Sequence, residues 1–144
     1  MKILYIDAFA GLSGDMLLGA LVDAAGSDRA IVDLPKRLQC PRARLVCRRA
    51  RSGRLSGICV TVQGARVPSA SGRGRPITEI MQQLGDADLS SSIKSRSRQV
   101  YRRIAEAEAR CHDVPLPRVH LHELGDPDAM VAIVGSVMMG KRKL

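Results

Sequence analysis

Aromatic side chains are almost missing. Tyr5, Phe9 and Tyr101 are the whole complement of 144 residues, and there is no Trp. A core built from this chain is therefore aliphatic, and a nucleic-acid surface of stacked rings has little to form from. The four cysteines (Cys40, Cys47, Cys59, Cys111) include no Cys-x-x-Cys pair and no zinc-ribbon spacing. They read as reduced, mostly buried thiols of a cytoplasmic protein. Long apolar runs are lacking too. Asp7 ends the run Ile3-Leu4-Tyr5-Ile6, which falls short of the roughly seven residues an export signal needs. Nothing approaches the roughly 18 apolar residues of a membrane span. What remains is an ordinary globular balance, 45% hydrophobic and 26% charged, at the length of one domain. A single cytoplasmic domain over 1–144 is the expectation.

Acidic residues are absent from one long interior stretch. Leu34 to Thr78 holds eleven Lys and Arg and no Asp or Glu, while the rest of the chain carries 12 basic against 14 acidic residues. That stretch supplies the whole excess behind the net charge of +9. It reads as an anion-binding stripe for phosphate, nucleotide or RNA, or as a solvated hairpin in an Arg-rich protein. The scarcity of aromatics weighs against RNA.

The hydrophobic pattern gives the elements. Lys2 to Asp7 is β-rich and bounded by Gly11 and Gly14, which predicts a buried strand. Asp15 to Ala25 is apolar nearly all round and stops at Gly26, a buried helix with a glycine stop. Ser27–Leu38 reads as a weaker helix interrupted near Pro35. Arg44–Arg51 and Leu55–Gln63 predict a hairpin about Ser-Gly. Residues 64–75 predict a Gly, Ser and Arg loop, after which Pro76 suits a first helical position. Ile77, Ile80, Met81 and Leu84 continue at helical spacing. Ile93, Ser97, Val100, Ile104, Ala107 and Cys111 form the seam of an amphipathic helix whose other face carries Arg96, Arg98, Arg102, Arg103, Glu106 and Arg110. Val119 to His122 alternates as a short strand, and Asp126-Pro127 opens a last helix. That helix, Ala129 to Met139, has no charge and needs cover on every side, from the fold or from a partner. The fold class is α/β or α+β, with short buried strands and a central hairpin covered by four to five helices.

Two segments carry chemistry. In Asp7-Ala8-Phe9-Ala10-Gly11-Leu12-Ser13-Gly14-Asp15-Met16, a strand end and a helix start flank a loop where backbone amides can approach a ligand. No Gly-x-Gly-x-x-Gly or Gly-Lys-[Ser/Thr] is present, and Asp15 places negative charge where a phosphate would sit. Asp7 and Asp15 suit a cation, or a cation with a nucleotide; equally, Asp15 can be a plain helix cap. In His120-Leu121-His122-Glu123-Leu124-Gly125-Asp126-Pro127-Asp128, histidines two apart on a strand would share a face. With Glu123 and Asp126 or Asp128 they suit Ni, Zn, Fe or Co rather than Mg or Ca. The alternative is a pair of satisfied histidines before two capping aspartates. His112 could join them, but alone it reads as structural.

Together these segments resemble the LarC-type nickel insertion proteins. Family members look like Asp-x-Phe-x-Gly-x-[Ser/Ala]-Gly-Asp-Met after a first strand, matched from Asp7 to Met16. They carry Ala-Glu-Ala-Glu followed by His, matched by Ala105 to Glu108 and His112. A His-x-His-Glu-[Val/Leu]-Gly stretch then runs into Val-Asp-Ile-Val-Gly, matched from His120 to Gly135. The resemblance implies CTP-dependent nickel insertion into pyridinium-3,5-bisthiocarboxylic acid mononucleotide, a lyase-class cyclometallation making one Ni–C and two Ni–S bonds. It implies nickel as cargo and CTP with a divalent cation as cosubstrate. Asp7, Gly11, Ser13, Gly14 and Asp15 become candidates for holding the substrate, and His120, His122, Glu123 and Asp128 for holding nickel.

The chain departs from the family at Ala132, where the pattern has Asp, and it resembles only the amino-terminal part. The expectation is that the carboxy-terminal, nucleotide-handling part is absent, which leaves either a chain that works with a separately encoded half or a truncated, inactive remnant; a homo-oligomer is a separate expectation. Outside the enzyme reading stand a non-catalytic metal- or nucleotide-binding module and, further off, an RNA-binding protein.

Overall fold

A computed structural model of the chain describes residues 3–9, 11–64 and 74–141. In order these form α1 (Gly14–Ala25), α2 (Leu34–Arg37), β1 (Arg44–Ser52), β2 (Leu55–Gln63), β3 (Arg75–Pro76), α3 (Ile77–Asp86), α4 (Ser91–His112), β4 (His120–Leu121) and α5 (Pro127–Gly140). Single 3-10 turns flank β4 at Leu116–Arg118 and Glu123–Gly125. This is an α+β fold with five helices and the expected hairpin at its centre.

The hairpin pairs β1 with β2 antiparallel, Ser52 opposite Leu55. Gly53, at φ 59°, takes the first corner of the two-residue turn, the position where a primed hairpin turn asks for glycine. α5, uncharged from Ala129 onward, is the hub. It packs against α1, α4, β2 and α2, and Met130, Val131, Val134 and Met139 are fully buried. The fold itself thus supplies the cover that this helix requires. On the other side, α1 lies on β2. A Cβ on Gly19 would fall 2.3 Å from the Ile58 carbonyl oxygen, so only glycine lets the helix backbone approach the strand this closely. Leu18, Leu34, Ile80, Leu84, Tyr101 and Leu121 join α5 in one aliphatic core.

Several expectations are corrected. Residues 3–8 have no regular secondary structure, and Ile3, Tyr5 and Phe9 are 78%, 83% and 92% exposed. A buried strand needs a ladder partner and cover, and the segment pairs with neither of the two described sheets. The helix over 27–38 shrinks to the single turn of α2, because Pro35 has no N–H to continue a ladder and fits only the first turn. Pro76 is one residue outside α3, in extended backbone opposite His120. Arg75, placed in the loop by sequence, belongs to β3; residues 65–73 of that loop lie outside the described residues. The seam of α4 is rotated. Ile93, Ser97, Tyr101 and Ala105 are buried, while Val100, Ala107 and Cys111 are exposed. All four cysteines are free, but only Cys40 is buried.

Candidate functional site

The cap of α1 is Ser13, in extended backbone, whose Oγ accepts from the Met16 N–H at 3.4 Å. The same hydroxyl donates to Asp15 Oδ1 at 2.5 Å. Asp15 is thereby tethered in the first turn, where the helix dipole favours a carboxylate. At the start of α5 the same logic recurs. Pro127 occupies the first turn, where its missing N–H costs nothing. Asp128 accepts from the Ala129 N–H at 2.8 Å.

These two helix starts open on one cavity of about 400 Å³. Asp15 and Gly14 contribute from α1, Asp128, Ala129, Ala132 and Ile133 from α5, and Val60, Thr61 and Val62 of β2 form the far wall. The helices meet closely here: a Cβ on Gly14 would lie 3.0 Å from Ala132 Cβ. Leu124 closes one side and is held from beneath by Tyr101, whose hydroxyl donates to its carbonyl at 3.2 Å. Burial pushes the Tyr101 phenol well above its ordinary range, with the nearby Asp128 charge adding to the shift. The phenol therefore stays a proton donor and a fixed prop. The result is a mostly apolar cavity with two exposed carboxylates in its lining, suited to a positively charged ring or a cation.

The remaining candidates lie elsewhere. Asp7 is exposed in the irregular amino-terminal segment, and Gly11, at φ 90°, donates to the Ala8 carbonyl at 2.9 Å in the turn before Ser13. β4 ends at Leu121, so the alternation that would set His120 and His122 side by side stops before the second histidine. His120 Nδ1 meets the Arg118 carbonyl oxygen at 3.0 Å. His120, His122 and Glu123 are all exposed and outside the lining of this cavity. His112 pairs with Glu108 at 3.3 Å near the end of α4. Among the described residues, no group of three or more His, Cys, Asp and Glu could hold a metal ion. The structure thus unites Asp15 with Asp128 and leaves the imidazoles apart from them. The signal for that union was legible in two matching helix starts, Ser13-Gly-Asp15 and Asp126-Pro-Asp128. The β2 wall had none.

Comparison with known proteins adds a family. The family model of nickel insertion proteins matches residues 4–142. A putative nickel insertion protein of Thermomicrobium roseum is 42% identical over 138 residues, covering 95% of this chain and 33% of that protein. A protein of Geobacillus kaustophilus named pyridinium-3,5-bisthiocarboxylic acid mononucleotide nickel insertion protein is 34% identical over 145 residues, covering 96% of this chain and 35% of its own length. A putative nickel insertion protein of Syntrophobacter fumaroxidans is 36% identical over 138 residues, 96% of this chain and 34% of that protein. The chain spans about a third of the length of these curated relatives. No solved structure matches. With nearly its whole length matched, the chain belongs to the nickel insertion protein family.

Proposed function

We propose that this chain takes part, in the cytoplasm, in inserting nickel into pyridinium-3,5-bisthiocarboxylic acid mononucleotide, with the cavity between α1 and α5 as the seat of the pyridinium ring. The observation that carries the reading is the joint presence of a match over residues 4–142 and of two carboxylates, Asp15 and Asp128, in the lining of one mostly apolar cavity. A cationic ring gains from the carboxylates and from the Val60 and Val62 wall together. In the insertion, Ni²⁺ displaces the proton on the metallated ring carbon while the two thiocarboxylates supply sulfur. That proton needs an acceptor, and the carboxylates of the cavity, Asp15 and Asp128, are the groups proposed for it.

Nickel is cargo in this reading, and three of its bonds in the product are to the substrate itself. The protein needs to offer only transient ligands, so the want of a three-residue metal cluster among the described residues is no obstacle. His120, His122 and Glu123 are the residues assigned to bring nickel in, since neutral imidazole and carboxylate suit Ni²⁺. The CTP-dependent step and its divalent cation are assigned to the two thirds of the relatives that this chain does not match, whether continuous with it or separately encoded. The second reading is a non-catalytic module that binds metal or nucleotide in the same cavity without turnover.

The test uses the chain with and without the unmatched portion of the Geobacillus kaustophilus relative. Bound nickel is read by elemental analysis and nickel-loaded nucleotide by mass spectrometry. Nickel bound stoichiometrically, and lost in His120→Ala/His122→Ala, with product formed only in the combined sample, is the expected result. Binding without product in any combination leaves the module reading. Neither nickel binding nor product contradicts both.

A further inference from the structure

A second cavity, of about 390 Å³, opens on the opposite side of the α5 start. Pro127 lines it, whereas the adjacent Asp128 lines the acidic one, so the first turn of α5 is a wall common to both. Its chemistry is the reverse of its neighbour's. Arg42 and Arg75 line it, and among the described residues no carboxylate does.

Arg75 is the telling residue. It is only partly exposed, and its Nη1 donates to the Gly125 carbonyl at 3.1 Å and its Nη2 to Gln83 Oε1 at 2.7 Å. Both acceptors are neutral. None of the ion pairs among the described residues includes Arg75. Gln83 is itself committed, since its Nε2 donates to the Leu38 carbonyl at 2.5 Å and to Cys40 Sγ at 3.4 Å. Burial pushes the Cys40 thiol up, so it offers no counter-charge either. A guanidinium has five N–H groups; two are used for orientation, which leaves the others for a ligand. Arg42 is exposed on the rim, and its backbone runs close to Gly64, where a Cβ, at φ +71°, would lie 2.3 Å from the Arg42 carbonyl oxygen. A partly buried cation oriented by neutral acceptors retains an unmet demand for an anion.

We propose that this cavity is a subsite for a phosphate monoester, with Arg75 as its oriented fork and Arg42 as its rim cation. This gives the acid-free stretch from Leu34 to Thr78 a defined use. It also offers a two-part ligand a basic seat for its phosphate and an acidic one for its ring, on either side of α5. The identity of that ligand as a pyridinium mononucleotide rests on the proposed function; the anion subsite does not.

Calorimetric titration of the full chain tests it with three probes: inorganic phosphate, nicotinamide mononucleotide, and nicotinamide riboside, which has the ring and sugar without the phosphate. The mononucleotide and phosphate bind, and the riboside binds about tenfold more weakly than the mononucleotide. Arg42→Gln and Arg75→Gln each weaken both phosphate-bearing probes by about tenfold and leave the riboside unchanged. Arg75→Lys restores part of the loss, because it keeps the charge and loses the fork. Circular dichroism verifies folding, and Arg42→Gln, outside the internal hydrogen bonds, decides the matter if Arg75→Gln does not fold. A wild-type chain that binds no phosphate-bearing probe, or an Arg42→Gln chain that binds them as tightly as wild type, overturns the subsite. Arginine-dependent phosphate binding without any nickel insertion leaves the subsite and removes the nickel reading; nickel insertion without arginine-dependent phosphate binding does the opposite.

Discussion

Single atoms decide how α1 sits. Gly19 lets α1 rest on β2, and an alanine there would place Cβ 2.3 Å from the Ile58 carbonyl oxygen. Alanine gains about 1 kcal/mol of helix propensity over glycine, but a clash with backbone cannot be relieved by a rotamer. Gly19→Ala is therefore expected to lower stability by about 1–3 kcal/mol net in urea unfolding; an unchanged or raised midpoint would show that α1 does not lie against β2. Ala132 works in the other direction. Only 9% exposed, it faces Gly14 inside the cavity that Asp15 and Asp128 also line. An aspartate there adds a third carboxylate to the same space, and like charges repel. Ala132→Asp is expected to cost about 1–3 kcal/mol in the presence of chelator. Added Ni²⁺ should raise the stability of Ala132→Asp by more than it raises that of the wild type. Equal responses to the metal in the two chains would place position 132 away from the two carboxylates.

Among elements, α4 shows how periodicity can be read one step off. The apolar letters put Val100 on the seam, yet Tyr101 is buried in its place, because its hydroxyl reaches the Leu124 carbonyl and the ring fills the core. A phenol looks polar in sequence until its partner is known, and that partner lies beyond the helix. Ser97 shares the buried face with a hydroxyl that has no partner among the described residues. Ser97→Ala is expected to raise stability by about 1 kcal/mol, while Val100→Ala should stay within about 0.5 kcal/mol. The opposite ranking by thermal melting would restore the seam through Val100. Local signals served the hairpin well, where apolar runs meet at a Gly turn, and served α5 well through Asp126-Pro127. They also gave β4, inside the alternating run Val119 to His122, but failed for β3, because its two residues pair with a distant segment and no local pattern announces that. The fork at Arg75 was hidden for the same reason: its acceptors, Gln83 and Gly125, come from different parts of the chain.

At the scale of the whole molecule, charge is sorted about one apolar helix. The start of α5 separates a cavity bearing Asp15 and Asp128 from one bearing Arg42 and Arg75. The sequence showed an excess of base in one stretch and paired acids at two helix starts, but not that α5 would stand between them. Nor did it show that the Ile3-Leu4-Tyr5-Ile6 run would stay exposed, since a β-rich run looks the same with or without a partner strand. None of the described helices is long and apolar enough to cross a membrane.

The central claim is that Asp15 and Asp128 act on one substrate in one cavity. The most direct measurement is the yield of nickel-loaded nucleotide, by mass spectrometry, from the chain combined with the unmatched portion of a relative. It compares wild type with Asp15→Asn, Asp128→Asn and the double variant. Both single changes are expected to lower the yield, the one that removes the proton acceptor by about 100-fold, and the double change to cost little more than that one alone. Undiminished yield from both single variants would contradict the account.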